Sequence, residues 1–327
     1  MSSQPGSRVP GYRKLPRTAA LTLLAIAAVL LAACSSSTSS SGSTSSSSPS
    51  SSSAIGSGKT LTLGTKDFTE EFIIGALYRL ALQAKGYTVN YKPNIGATEI
   101  IDKALTSGQI DAYPEYTGES VATVAGINTI PATPQQEYNL AKAFYAKRGQ
   151  SMSAMTPFFD TDAIAVTKAY AAKWGLKTTA DLKKAPHFTL GARPEFQGRE
   201  EGAVGLQKVY GIHNFTFKSL ALGLQYQALD SGAADAADVF TTDPQLASGK
   251  YTVLTDPKNV FGFQNIALVI STKKLDQLGG QAFLNIINQV NALLTTPAII
   301  AMNKAVAIDK QQPQDVARTF LSANHII

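Results

Sequence analysis

Two segments of the chain place a cation and an aromatic ring just past a glycine that ends a short apolar run. They are TLGTKDF (62–68), with Gly64, Lys66 and Phe68, and TLGARPEF (189–196), with Gly191, Arg193 and Phe196. Two further segments, ALTSGQIDAYPEYT (104–117) and ALDSGAADAADVFT (228–241), match residue for residue at a constant offset of 124. That offset aligns Tyr116 with Phe240 and Thr117 with Thr241. Rings and cations brought together this way can hold a small charged solute, whereas turnover needs more. The three histidines, His187, His213 and His325, share no metal-ligand spacing, and no G-x-S-x-G, P-loop or H-E-x-x-H occurs. Acidic residues are plentiful, but without geometry they are weak grounds for general acid–base work. No enzyme activity, metal or cofactor is expected.

The elements that must position these residues repeat in order. In the first copy, Phe72, Ile73, Ala76, Leu77 and Leu80 recur at helical spacing. Asp67 and Glu70 suit a capping box at the start of that helix, and Gly86 suits its end. A strand YTVNYKP and a helix over about 97–106 follow. The second copy predicts a strand over 188–192, a helix over 199–210, a strand over 215–220 and a helix over 222–230. Strand–helix–strand–helix–strand builds a parallel sheet flanked by helices, and ligands of open α/β sheets sit beyond the carboxyl ends of the strands. Tyr116 and Phe240 fall at equivalent strand ends, and Lys66 and Arg193 lie just past equivalent first strands. The expectation is two α/β lobes closing on a cleft by hinge motion. Pro114, in DAYPEYTGES (111–120), argues against a central strand there, because it has no backbone donor. Tyr113 has Ala237 as its counterpart and reads as packing. Residues 262–271 read as a strand returning to the first lobe, followed by helices over about 279–294, 297–308 and 313–323.

The N-terminus reads differently. Arg8, Arg13, Lys14 and Arg17 precede an apolar run from Ala19 to Leu31, shorter than the ~20 residues that span a bilayer. The run ends in Leu31-Ala32-Ala33-Cys34, similar to a bacterial lipobox, and Cys34 is the only cysteine. The expected organisation is a lipoprotein signal peptide (1–33), a lipidated Cys34 with a serine-rich tether (34–58), lobe one (59–158), lobe two (159–261) and a return to lobe one (262–327). The formal charge of +6 owes four basic residues to the first 58 positions, which carry no acid; 25 basic against 23 acidic residues remain, a net of +2. That balance gives no nucleic-acid footprint.

The segments GTKDFTEEFIIG, DAYPEYTG, RPEFQGR and KVYG resemble, in order over nearly all of residues 59–327, the substrate-binding proteins of osmoprotectant ABC importers of the ProX/OpuC type. The resemblance implies a type II periplasmic-binding-protein fold, an extracytoplasmic location at the cell membrane and a glycine betaine, choline or related quaternary ammonium ligand. It also implies an ABC permease and its ATPase as partners; a monomer is expected. Family members hold the ammonium head in a cage of tyrosines and the carboxylate with a lysine and an arginine. A quaternary ammonium has no N–H to donate, so aromatic faces must hold it, and a bidentate arginine suits a carboxylate.

Carried over by position, the motif lysine is Lys66, the arginine Arg199 and the E-Y-T-G tyrosine Tyr116. The later cage positions fall on Asp162, Phe240 and Phe263, and the position often occupied by threonine after E-Y-T-G is Glu119. Phenylalanine keeps the π-face. Asp162 and Glu119 add negative charge, which suits a ligand more cationic than betaine; alternatively Glu119 faces solvent and Asp162 pairs with Lys66 or Arg199. Lys66 and Arg199 argue for an acidic group on the ligand, or else form an interlobe ion pair. Other readings are a binding protein for a cationic amino acid or a betaine-like thiol or sulfonium compound, a ligand-sensing lipoprotein without transport, and a surface enzyme pairing Asp162 with Glu119 or Glu115.

Overall fold

The computed structural model describes residues 54–327. Cys34, the apolar run before it and nearly all of the serine-rich tether lie outside the described residues. Lobe one begins with β1 (Thr60–Gly64), α1 (Thr69–Ala84), β2 (Thr88–Lys92), α2 (Thr98–Thr106) and β3 (Ala112–Tyr116). A helical turn, α3 (Thr117–Glu119), runs into a π-helical turn over Ser120–Val124, and α4 (Pro134–Lys147) leads to β4 (Gln150–Met152). Lobe two holds β5 (Asp162–Thr167), α5 (Lys168–Trp174), β6 (Phe188–Ala192), α6 (Ala203–Tyr210), β7 (Phe215–Ser219), α7 (Gln225–Asp230), β8 (Ala236–Phe240) and β9 (Tyr251–Leu254). The chain returns through β10 (Ile266–Ser271) and ends in α8 (Thr272–Leu278), α9 (Gln281–Leu293), α10 (Thr296–Ala307) and α11 (Pro313–Ala323).

The two sheets have the same order, β2-β1-β3-β10-β4 and β7-β6-β8-β5-β9. In each, the first two strands of the repeat pair in parallel and the third meets an antiparallel strand, β10 on β3 and β5 on β8. The repeated glycines have the same reason to be glycine. A Cβ on Gly64 would stand 2.7 Å from Ile95 and 2.8 Å from Ile110, and one on Gly191 would stand 2.6 Å from Leu220. The chain passes between the sheets twice, and the isolated bridge Phe159–Asn265 joins the two crossings.

Each lobe has its own core. In lobe one, Ile73, Leu77 and Tyr78 of α1 pack with Leu61 and Leu63 of β1, Phe283 and Ile287 of α9, and Leu321 of α11. In lobe two, Leu190, Phe196, Leu206 and Phe261 share a core. Fully burying one such side chain contributes roughly 1.5–3 kcal/mol, enough to hold the strand ends of each sheet fixed relative to their own lobe.

Three local expectations differ from the structure. Pro114 lies inside β3, the middle strand of its sheet, opposite Leu268. Thr117 N–H donates to Asn265 O, and Ser271 N–H to Asp111 O, so the odd-numbered residues of β3 face β10. The Pro114 nitrogen therefore faces β1, which registers with β3 only at Leu63–Ala112 and ends before reaching it. A proline costs no ladder bond where the neighbour has already stopped. Glu70 does not cap α1: the N-cap is Phe68, without a side-chain cap bond, and Glu70 is buried, bonded to Tyr116, Thr242 and Asn303. Helix α6 starts at Ala203, not near 199, which leaves Arg199 outside the helix.

Candidate functional site

A cavity of about 520 Å³, counting its mouth, lies between the two sheets. That size suits a small solute. Its walls come from strand ends and the loops just beyond them. Lys66, Asp67 and Phe68 follow β1, Tyr116 ends β3 and Glu119 ends α3. From lobe two come Asp162 at the start of β5, Arg193 and Arg199 after β6, and Phe240 at the end of β8. Asp160 and Gln264, from the two crossings, also line it.

The rings form a cluster. Phe68 stacks on Phe240 at 5.7 Å between centroids and 17° between planes, and lies 5.9 Å from Tyr116. Two of the rings also engage cations: Lys66 Nζ lies 4.7 Å from the Tyr116 centroid, and Arg193 Cζ lies 5.3 Å from that of Phe240. Tyr116 is held by its hydroxyl, which donates to Glu70 Oε1 at 2.9 Å. Glu70 Oε2 accepts from Thr242 Oγ1 at 2.6 Å and Asn303 Nδ2 at 2.8 Å, tying α1, the loop after β8 and α10 together. Asp160 accepts from the Thr242 N–H at 2.9 Å. Burial pushes the carboxyls of Glu70 and Asp160 above their ordinary values, and the charge of Glu70 raises Asp160 further. Among the described residues neither acid has a Lys or Arg within salt-bridge distance, and of the two Asp160 lines the cavity, next to Phe240 and Tyr116.

Three cations also line the cavity, each already paired. Lys66 contacts Glu115, and both are almost fully buried. Burial raises the Glu115 carboxyl, against the pull of Lys66. The Glu115 side chain also accepts from the Tyr116 N–H at 2.6 Å and the Tyr113 hydroxyl at 3.0 Å, so Tyr113 both packs and orients this acid. Arg193 grips Asp162 in a two-pronged bond of 2.6 and 2.9 Å, and donates to Asp238 at 2.7 Å. Arg199 crosses the cleft, donating to Glu119 Oε1 at 2.6 Å and to Glu99 at 3.0 to 3.3 Å. Burial disfavours charge on Glu119, but Arg199, then Lys66 and Arg193, outweigh it and hold its carboxyl below the usual range.

Glu119 is fixed from behind. Its N–H donates to Gln264 Oε1 at 3.0 Å, and a Cβ on Gly118 would come within 2.5 Å of that amide, so the glycine lets Gln264 close in. Gln264 itself sits at φ 55°, a left-handed backbone uncommon for a residue with a side chain. Such outliers often mark functional sites.

Lys66, Tyr116, Glu119, Asp162, Arg199 and Phe240 thus all line one cavity. Phe263 is not among its lining residues; it is half-buried, its N–H shared by the Glu137 carboxylate, and the neighbouring Gln264 takes the lining position. Glu119 does not face open solvent, at 7% exposure. Asp162 pairs with Arg193, not with Lys66 or Arg199, because β5 and β8 are neighbours and β6 delivers Arg193 above both. Of the two expected cations, Arg199 makes the interlobe ion pair and Lys66 pairs within lobe one. Phe68 was visible only as half of a repeat, and its counterpart Phe196 is in the lobe-two core against Phe261. Asp160 carried no local signal, and the spacing of Glu70 pointed to a helix cap instead of the site. Among the described residues no group of three or more His, Cys, Asp or Glu could hold a metal ion.

Residues 59–323 match the family model described as the substrate-binding domain of ABC-type glycine betaine transport systems. A glycine-betaine-binding protein of Pseudomonas aeruginosa is 30% identical over 286 residues, covering 84% of this chain and 90% of that protein. The ergothioneine transport permease/ergothioneine binding protein EgtU of Helicobacter pylori is 30% identical over 268 residues, or 80% of this chain; the chain spans about half of that protein, 47%. Among solved structures, a glycine betaine/carnitine/choline ABC transporter is similar with a TM-score of 0.66 and 25% identity, covering 81% of this chain and 99% of that one. Apo YehZ of Escherichia coli is similar in fold, with a TM-score of 0.60 and 24% identity over 82% of this chain and 99% of that one.

Proposed function

Because the chain belongs to the family of substrate-binding domains of ABC-type glycine betaine transport systems, we propose that it captures a small quaternary ammonium solute and releases it to its permease. It is a binding protein and not an enzyme. The choice of ligand class rests on the cluster of Phe68, Tyr116 and Phe240 beside Asp160 and Glu70. A quaternary ammonium cannot be chosen by hydrogen bonds, and ring faces attract it by ~0.5–2 kcal/mol each. Lys66 and Arg193 already rest on two of those rings. Closure is driven by the ligand's greater affinity for the closed form, in which residues of both lobes touch it.

Glycine betaine, choline and carnitine fit this chemistry. Ergothioneine is a second reading, favoured by the 30% identity to a protein named for binding it; it too is a trimethylammonium betaine. The protein is placed on the outer face of the cell membrane, tethered through a lipidated Cys34 and its serine-rich linker, and it acts as a monomer.

Calorimetric titration against glycine betaine, choline, carnitine and ergothioneine, with arginine as the non-quaternary control, tests this. One-to-one saturable binding of at least one quaternary ammonium is expected. If none binds at millimolar concentration, the assignment of ligand class fails.

A further inference from the structure

The pairing of the cleft's cations bears on which quaternary ammonium binds, and the inference rests on that ligand class. A ligand that carries a carboxylate gains most from a cation whose charge no protein acid already balances. Among the described residues lining this cavity, Lys66, Arg193 and Arg199 are the cations, and each has protein carboxylates on it already. Five acids share those three cations: Glu115, Asp162, Asp238, Glu119 and Glu99.

Glu119 is the informative one. Its Oε1 lies 2.6 Å from Arg199 Nη1 and 3.7 Å from Arg193 Nη2, between both arginines, where a ligand carboxylate would have to sit. The residue is anchored at its backbone by Gln264, and the pair it forms with Arg199 joins the two lobes. Against the cost of burial, Arg199, Lys66 and Arg193 keep it an anion at neutral pH. Its other oxygen, Oε2, is buried without a hydrogen bond of ordinary geometry among the described residues, and the Thr98 hydroxyl also helps to hold the carboxylate as an anion. The Glu119 carboxylate lines the cavity; as an anion it attracts a ligand hydroxyl and repels a ligand carboxylate.

We infer that Glu119 stands in for the ligand's carboxylate, so that the cleft selects quaternary ammonium alcohols of the choline type over quaternary ammonium acids of the betaine type. Glu119 supplies the anion that closes the lobes through Arg199, and a ligand acid would bring a second anion to cations that are already neutralised. Like charges in a poorly solvated site repel strongly enough to shift relative affinity by an order of magnitude. The same selection acts against the carboxylate of ergothioneine.

The test is calorimetry on the purified full chain with choline and with glycine betaine, in the parent, Glu119→Gln, Glu119→Thr and Phe240→Ala. The parent should bind choline at least about tenfold more tightly than glycine betaine, and Glu119→Gln should move that ratio about tenfold or more towards glycine betaine. Glu119→Thr should move it in the same direction. Phe240→Ala should weaken both ligands and leave the ratio close to that of the parent. Thermal unfolding without ligand checks that each variant folds; if the Glu119 variants do not, the parent's ratio alone decides. Equal affinity of the parent for both ligands, or a ratio unmoved in a folded Glu119→Gln, overturns the role of Glu119 while the quaternary-ammonium reading stands. Binding of neither ligand by the parent overturns both.

Discussion

Replacing Phe240 separates what a ring does from what its bulk does. Phe240 ends β8, stacks on Phe68 at 5.7 Å and has Arg193 Cζ 5.3 Å from its centroid. If a ligand ammonium uses this ring, the cation–π contribution lost is ~0.5–2 kcal/mol, or about 2- to 30-fold in Kd. Alanine removes the π-face, the apolar area and the support of Phe68 together, so Phe240→Ala should sit at or beyond the upper end. Leucine keeps most of the apolar volume and lacks the quadrupole, so Phe240→Leu should lose the electrostatic part alone. Tyrosine keeps both, and Phe240→Tyr should be within about twofold of the parent. The assay is calorimetric titration of the four proteins with choline at one pH and ionic strength, with thermal unfolding to confirm folding. If Phe240→Leu binds like the parent while Phe240→Ala is weakened, the site uses apolar contact and the cation–π argument is wrong. If Phe240→Ala also binds like the parent, the ring belongs to packing alone.

The buried pair Lys66–Glu115 should behave as a unit: Glu115→Gln strands an ammonium that is 4% exposed at its side chain and should destabilise the protein by ~3–5 kcal/mol, read by denaturant unfolding, and a cost below about 1 kcal/mol would contradict the pairing. Glu201 accepts from Thr123 Oγ1 at 2.6 Å, and burial, then the nearby charge of Glu119, pushes its carboxyl from 4.5 to about 8. A raised carboxyl binds its proton more tightly when folded, so this group's contribution is complete below about pH 4.5 and is lost as pH rises to about 8; Glu201→Gln should flatten that part of the stability profile, and an unchanged slope would count against it. Thr242→Val removes one of the donors to Glu70 and should loosen the tie between lobe two and α1, seen as weaker ligand binding by about 2- to 13-fold if that hydrogen bond contributes its usual ~0.5–1.5 kcal/mol. Cys34→Ser should release the protein from the membrane fraction into the medium or periplasm; retention of the variant at the parent's level would argue against a lipid anchor.

Much of the fold was legible because it is written twice. The offset of 124 between 104–117 and 228–241 predicted two like parallel sheets; the sheets share one strand order, but each is mixed, because the strands that follow the crossings, β5 and β10, run antiparallel to their neighbours. The returning strand and three C-terminal helices showed as long, periodic segments, which is where sequence patterns carry most weight. The site was partly legible, since strand ends place Tyr116, Phe240, Lys66 and Arg193 by topology. What escaped was non-local. Glu70 looked like a cap three residues past Asp67, but its partners Tyr116, Thr242 and Asn303 lie 46, 172 and 233 residues away. Asp162 has two candidate cations in the sequence, and a third, just past β6 with β8 between the two strands, holds it. Pro114 looked forbidden because nothing in the sequence says that β1 stops at Gly64.

Everything proposed for this cleft depends on a quaternary ammonium head resting on the rings of both lobes. A crystal structure with choline or glycine betaine bound would show the head group's position outright. The ammonium nitrogen is expected within about 6 Å of the centroids of Tyr116 and Phe240, on the side of Asp160. A head group bound away from these rings, or against Arg193 and Arg199 with the rings unengaged, would contradict it.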